Sequence, residues 1–309
     1  QKVPSIKAHS VQILKMCKYF SILLKTTLIC RYQKLNIPFP EKKTFNVKKY
    51  SFSENKIILL IQKFLITLKI TRTNNTIFYT RDVHFAFFLF ILSRKKIFLE
   101  LHTAYTDKST LSYYLLNIIL CKKNIKIIFI SRALLTIYKK KFNKKFINYI
   151  IAHDASDNYK SKAPSSKKIN IGYAGHLYKG RGILLIIKIA KYLKDIQFNI
   201  AGGQKKDINH YNKITNHINN IKFFGYLPHS QVKKFFSRNH ILIAPYEKIV
   251  TVGNISDTSK FMSPLKIFEY MSSQKPIISS NHKVIREILK NDDNALLCEP
   301  NNFNEWVKA

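Results

Sequence analysis

Acidic residues are what this chain lacks most: 17 Asp and Glu stand against 53 Lys and Arg, leaving a formal net charge of +36 at pH 7. A surplus of that size points to nucleic acid, an anionic membrane surface or an acidic substrate as partner. The lysines are spread along the whole chain rather than gathered into one arm, so a general residue bias accounts for them equally well. Cysteine is scarce. Cys17, Cys30, Cys121 and Cys298 lie far apart and form no Cys-x-x-Cys pair, which argues against a zinc site or a disulfide framework and for a reducing cytosol. Long apolar runs are missing too. Val83–Ser93 is too short to cross a bilayer, and Ile57–Ile70 is interrupted by Lys63 and Lys69. There is no recognisable signal peptide, no initiator methionine at Gln1 and no short internal repeat.

What is present is enough apolar residue, 46% of 309, for two cores. The spacing predicts a helix over Ala8–Phe20 with nothing before it long enough for a strand. Ser21–Arg31 fits helix or strand, Thr44–Tyr50 a weak strand, and Ser53–Ile70 a helix started by Ser53 or Asn55. Alternation is then clear. Strands at Thr76–Thr80, Lys96–Leu101, Ile125–Ile130 and Asn148–Ala152 are separated by helices at Val83–Ser93, Ser109–Cys121 and Ser131–Phe142. A polar stretch, 156–168, reads as a linker, and the pattern restarts with strands at Ile169–Ala174, Gln197–Ala201, Ile221–Tyr226, Ile241–Pro245, Pro276–Ser280 and Ala295–Cys298. Helices are expected between them, among others at Ile183–Leu193, Asp207–Asn219, Ser230–Ser237 and Val284–Leu289. The expected class is α/β: two doubly wound, Rossmann-like domains, 1–160 and 161–309, facing across a cleft with ligands at the carboxyl ends of the strands.

Three stretches carry candidate chemistry. In Ser263-Pro264-Leu265-Lys266-Ile267-Phe268-Glu269-Tyr270-Met271, Ser263 is a natural N-cap and Pro264 a natural first helical residue, with Leu265, Phe268 and Ser272 on the core face. Glu269 then lies about 9 Å along the axis from the helix start, near enough for a carboxylate to hold ribose hydroxyls while phosphate meets the helix N-terminus. An ordinary amphipathic helix with an exposed Glu fits the same spacing. Gly172-Tyr173-Ala174-Gly175-His176-Leu177-Tyr178-Lys179-Gly180-Arg181-Gly182 joins a strand to a helix; its glycines allow close approach of a phosphate and its cations neutralise one. A plain glycine turn with solvated Lys and Arg remains the alternative. In Glu100-Leu101-His102, and in Arg81-Asp82 after the preceding strand, polar side chains end strands where a sugar or acceptor could be met, or where they simply pair locally. The long loop 247–262 suits a lid, with Gly253 and Asn254 as hinge and Asp257 as its central carboxylate.

Together these motifs resemble the family-4 retaining glycosyltransferases of the glycosyltransferase-B fold, in the bacterial variety that builds surface glycans. The resemblance is strong over 168–300 and looser before about residue 75. It implies a nucleotide-sugar donor, UDP- or GDP-linked, held mainly by the second domain, and a glycan or lipid-linked acceptor. It assigns Glu269 to the ribose, Arg181 (with Lys179 as second choice) to the diphosphate, Gly175 to the close approach, Ser263 and Leu265 to the phosphate-binding helix start and His102 to the donor sugar. Arg81, Glu100 and Asp257 become possible sugar or acceptor contacts, and neither a metal nor a further cofactor is expected. The location implied is cytoplasmic, peripheral on the inner membrane face, with no nucleic-acid partner. One departure stands out: where the family carries a first glutamate, eight residues before Glu269, this chain has Phe261. Against the family pattern the sequence also reads as truncated at both ends. A nucleotide-sugar epimerase of the same architecture and a basic nucleic-acid-binding module are the alternatives.

Overall fold

Parallel pairing runs through all three sheets of the described residues, as short apolar strands separated by helices demand. The computed structural model describes residues 2–3, 5, 8–32, 44–143, 146, 148–162, 164–251 and 257–309. The expected hinge at Gly253 and Asn254 lies outside them.

The chain divides into two compact units. The first comprises Gln1–Thr76 and His84–Lys95. In it β1 (Lys2–Val3), β2 (Thr27–Tyr32) and β3 (Asn46–Tyr50) form a sheet in the order β1-β2-β3, packed with α1 (Ala8–Leu23) around Val3, Leu14, Cys17, Cys30 and Phe45. A strand therefore precedes α1 after all, two residues long and held by pairing with β2 rather than by its own length. The undecided stretch 21–31 is both: α1 runs on to Leu23 and β2 starts at Thr27. Then follows α2 (Lys56–Thr71), capped by Asn55, whose side chain accepts the N–H groups of Ile57 and Ile58. Such a cap contributes roughly 1 kcal/mol.

The second unit, Ile77–Val83 and Lys96–Ala309, holds two sheets. After β4 (Phe78–Thr80), α3 (Val83–Leu92) runs mostly within the first unit. Next come β5 (Ile97–Leu101), α4 (Leu111–Ile119), β6 (Ile125–Phe129), α5 (Arg132–Phe142) and β7 (Tyr149–Ile151), giving a sheet in the order β4-β5-β6-β7. The Ser131 hydroxyl accepts the Leu134 N–H at 3.0 Å and so caps α5, as its position predicts.

The six-stranded sheet follows from β8 (Asn170–Ala174), α6 (Ile183–Tyr192), β9 (Gln197–Ala201), α7 (Lys205–Ile214), β10 (Ile221–Gly225), α8 (His229–Ser237), β11 (Ile241–Ala244), a 3-10 turn (Thr258–Lys260), α9 (Leu265–Ser272), β12 (Ile277–Ser280), β13 (Leu296–Cys298) and α10 (Phe303–Lys308). Its strand order is β10-β9-β8-β11-β12-β13. Alternate residues feed opposite cores: Ile243 and Ile278 join Ile186, Ile187 and Trp306 on one face, while Leu242, Ala244 and Ile277 join Ile267, Tyr270 and Ile285 on the other. The order reverses between β8 and β11, and it is at such a point, beyond the strands' carboxyl ends, that doubly wound sheets bind ligands. Two expectations fail here. Val284–Leu289 forms turns rather than a helix, although Val284, Ile285 and Leu289 are buried, and the helix expected at Asp207–Asn219 is α7, which ends at Ile214.

Candidate functional site at the strand-order reversal

The site grows from the two strands that flank the reversal. Beyond β8, Gly175 opens the glycine turn, and Gly182, at φ 74°, starts α6. A Cβ on Gly182 would lie 1.7 Å from the carbonyl oxygen of Pro245, just past β11, so the turn lies directly on the end of that strand. Tyr270 pins α9 beneath both strands: its hydroxyl accepts the Ala174 N–H at 2.8 Å and donates to the Ile243 carbonyl at 3.3 Å. Ile267 and Tyr270 are therefore the core face of α9, not Leu265, Phe268 and Ser272, which are only partly buried.

This docking carries Lys266 inward. Its Nζ lies 3.9 Å from the centre of the Tyr173 ring and 5.0 Å from that of Tyr246, and a Cβ on Gly175 would come within 2.8 Å of it. The Arg181 guanidinium sits 5.4 Å from the same Tyr246 ring. Among the described residues Lys266 Nζ and Arg181 Nε are both buried with no hydrogen-bond partner, although the Arg181 side chain also hydrogen-bonds Tyr246. Burial, then the Arg181 charge, pushes the Lys266 amine well below its ordinary range, while Glu269 pulls the other way. Tyr246 is pushed up to about 12 by burial, with Arg181 opposing. Ring faces offer a cation modest stabilisation, but a buried amine beside a half-buried guanidinium remains costly to charge. Nothing in the sequence separates Lys266 from the other lysines except its place beside Ile267 in an amphipathic helix. Sequence reasoning missed its burial.

The remaining expected residues of this half divide. Lys179 is exposed. Glu269 is half-buried near Tyr159, whose hydroxyl is raised by burial and then by the Glu269 charge. Leu265 begins α9, and in the first turn the Ile267 N–H is taken by the Pro264 carbonyl at 2.9 Å. Ser263 does not cap: Pro264 occupies the N-cap position, and the Ser263 hydroxyl accepts the Asp154 N–H at 3.0 Å instead. The proline's φ of −82° and ψ of 100° are extended, so the helix starts one residue later than expected. Asp257 organises its own loop, accepting from Ser259 N (3.0 Å) and Val250 N (3.2 Å), with Lys260 3.7 Å away. Phe261 is buried, and its carbonyl accepts the Ser131 hydroxyl at 2.8 Å.

A second cluster lies at the carboxyl ends of β4 and β5. The Glu100 carboxylate, buried, takes Arg81 Nε at 2.5 Å on one oxygen and His102 Nε2 at 3.0 Å on the other. Burial works to raise its pKa, but the His102 hydrogen bond and the Arg81 charge outweigh it and hold the group at about 2. Asp154 completes the group; a ligand atom from each of Glu100, His102 and Asp154 lies within 4.8 Å of the others. The three could face a cation, although Arg81 already supplies positive charge to Glu100.

The two sheets of this unit are tied by hydrogen bonds the sequence did not advertise. The Glu287 carboxylate accepts the N–H groups of Arg132 (2.6 Å) and Ala133 (2.7 Å) at the start of α5, where charge and helix dipole agree. Ser156 Oγ donates to the Phe268 carbonyl at 3.0 Å.

The family model for glycosyl transferases group 1 matches residues 155–309, which hold the six-stranded sheet and every residue around Lys266. The chain belongs to this family. As a group 1 glycosyltransferase it has the glycosyltransferase-B fold, and solved structures agree with that fold over the whole chain. A glycosyltransferase from Rickettsia africae ESF-5 superposes with TM-score 0.76 at 15% identity, over 100% of this chain and 85% of the other. Anabaena Alr3699/HepE in complex with UDP and glucose gives 0.72 at 12%, over 100% and 86%. The lipopolysaccharide outer core galactosyltransferase WaaB, in its apo form, gives 0.70 at 15%, over 100% and 87%. No curated protein matches by sequence. The glycosyltransferase family does not favour the epimerase alternative.

Proposed function

We propose that this glycosyltransferase moves a hexose from a UDP- or GDP-linked donor to a glycan or lipid-linked acceptor with retention of configuration, as a family-4 enzyme of surface-glycan synthesis. The observation that carries the reading is the pair of buried, unpartnered cationic atoms, Lys266 Nζ and Arg181 Nε, beside Gly175 at the strand-order reversal. A diphosphate is the anion that fits. It would lie against the glycine turn and the start of α9 at Leu265, neutralised by Arg181 and Lys266. Glu269, one turn further on, would accept the ribose hydroxyls, and the Anabaena neighbour solved with UDP and glucose supports UDP as the nucleotide.

In the reaction the bond between the anomeric carbon and the diphosphate oxygen breaks while the acceptor oxygen bonds to that carbon from the same face. The acceptor proton passes to the departing phosphate oxygen. Arg181 and Lys266 stabilise the charge that develops there, so the chain's own cations do what a metal would otherwise do. His102, held by Glu100 and through it by Arg81, would bind the sugar or acceptor. Residues 161–309 would carry the donor side and 1–160 the acceptor side, in a cytoplasmic protein peripheral on the inner membrane face.

The test is a thermal-shift panel of UDP, GDP, their hexose conjugates and an oligonucleotide, followed by product analysis with the best donor. Stabilisation by a nucleoside diphosphate and an α-linked product from an α-linked donor are expected. Stabilisation by the oligonucleotide alone, or an inverted product, would overturn the reading.

A further inference from the structure

At the amino ends of β8, β9 and β10, the opposite end of the sheet from the glycine turn, one sheet face turns polar. Asn170 stands opposite Gln197 in the pairing of β8 with β9, and Asn199 opposite Lys222 in the pairing of β9 with β10. Strands covered on both faces are ordinarily apolar throughout, and the neighbours Ile171, Phe198 and Ile200 do fill the core on the other face. The amides and Lys222 instead line a cavity of about 690 Å³, walled by the segment 164–166 and by the end of α8 at Arg238. That is the size of a small-molecule site. Each amide uses its nitrogen within the protein. Asn170 Nδ2 donates to the Arg238 carbonyl at 3.0 Å, Gln197 Nε2 to the Phe198 carbonyl at 3.2 Å and Asn199 Nδ2 to Asn239 Oδ1 at 2.9 Å. Their side-chain oxygens accept nothing from the described residues, although Asn199 is only 8% exposed. No carboxylate lines the cavity, and among the described residues Lys162, Lys222 and Arg238, all on its wall, pair with none.

We propose that this cavity binds an anionic carbohydrate, a sugar or short oligosaccharide carrying a carboxylate or a phosphate. An amide oxygen can only accept, so its ligand must bring protons, and a simple anion brings few. A neutral sugar supplies hydroxyl protons but leaves the cations without a counter-charge. A sugar with an anionic substituent meets both needs: its hydroxyls donate to Asn170, Gln197 and Asn199, while its carboxylate or phosphate oxygens accept from Lys222 and Arg238. An acceptor as buried as Asn199 Oδ1 is costly to leave unmatched, and a ligand hydroxyl offsets that cost. The cavity belongs to the same sheet as the donor site proposed above but to its opposite end. The inference therefore goes beyond that reading and does not rest on it, and either can fail alone.

The experiment is calorimetric titration of the full chain with tri-galacturonate, galactose 6-phosphate, maltotriose, inorganic phosphate and a single-stranded oligonucleotide, repeated with UDP present. At least one of the two acidic sugars is expected to bind tenfold or more tightly than maltotriose and than inorganic phosphate, with or without UDP. Which of them binds distinguishes a carboxylate from a phosphate as the anionic group. A Lys222→Glu/Arg238→Glu variant should bind that sugar at least tenfold more weakly, and Gln197→Met at least threefold, with melting temperature and UDP affinity as in wild type. Lys140→Glu/Lys141→Glu makes the same change of charge on exposed positions of α5 and should bind the sugar as wild type does. Undiminished binding by either cavity variant, an equal loss in the α5 variant, or displacement by UDP would overturn the inference. Equal affinity for maltotriose or inorganic phosphate would overturn it too, as would failure of both acidic sugars to bind. If the oligonucleotide alone bound and the cavity variant abolished it, the ligand would be a nucleic acid and not a carbohydrate.

Discussion

The Arg81–Glu100–His102 cluster and the Lys266–Arg181 pair occupy equivalent places, each at the carboxyl ends of parallel strands, and they solve the cost of burying charge in opposite ways. Glu100 takes Arg81 Nε at 2.5 Å and faces His102 Nε2 at 3.0 Å, so the chain itself supplies its counter-charge. Lys266 and Arg181 share a pocket of tyrosine rings and leave buried nitrogens without an acceptor. The first carries its own counter-charge; on the proposed reading, the second receives one from the donor's diphosphate. Removing a charge should therefore have opposite consequences in the two places.

The largest effect is expected at Glu100. Glu100→Ala removes the carboxylate paired with Arg81 Nε at 2.5 Å, and breaking a buried pair costs about 3–5 kcal/mol. Thermal or denaturant unfolding measures it; an unchanged midpoint would mean that the network is not integral to the fold. The same network predicts acid sensitivity. A carboxylate held at about 2 against an ordinary 4.5 contributes stability that is fully present above pH 4.5 and is lost as pH falls toward 2. The contribution is about 3 kcal/mol. Glu100→Gln should flatten that part of the stability profile, and a profile as steep as that of wild type would assign the acid sensitivity to other carboxylates.

Next in size is Arg181→Ala, expected to cost about 2–3 kcal/mol of affinity for UDP, because a half-buried cation facing a diphosphate is lost. Uridine, lacking the charge, should bind nearly as before; equal losses for both ligands would mean that Arg181 packs rather than pairs. Glu269→Ala reverses the pattern. It should cost about 1.5–3 kcal/mol for UDP and uridine alike, since both carry the ribose. Calorimetric titration of the two ligands separates the cases, and an unchanged affinity for both would remove Glu269 from the ribose.

The smallest effect is a proton. Lys266 is held below its ordinary range by burial and by Arg181, and an anion beside it raises its pKa again. UDP binding should thus take up protons, and affinity should weaken as pH rises past the depressed value. Titrations over a range of pH in buffers of different ionisation enthalpy report the uptake; none at any pH would mean that Lys266 does not change its charge when UDP binds.

The contrast also marks what could be read from the sequence. Strand and helix alternation was legible because each element's apolar period is local, and caps such as Asn55 and Ser131 act within a turn of their own residue. The glycine turn, Arg181 and Glu269 were legible as motifs. Lys266 was not, because its burial depends on Tyr173 in β8 and Tyr246 just past β11, both distant in the sequence. Ser263 was misread for the same kind of reason: its hydroxyl is taken by Asp154, more than a hundred residues away, before it can cap its own helix. The turns over Val284–Leu289 have the apolar content of a helix, and burial of Val284, Ile285 and Leu289 does not require one.

The central claim, that the buried cations are the receptor for a diphosphate, is tested most directly on Lys266→Met by measuring its melting temperature and titrating it with UDP. Methionine keeps much of the volume and removes the charge. The account predicts a melting temperature equal to or above that of wild type, because an amine that burial holds away from its charged form is gone, together with at least a tenfold loss of UDP affinity. A variant that melts lower than wild type while binding UDP with undiminished affinity would contradict it.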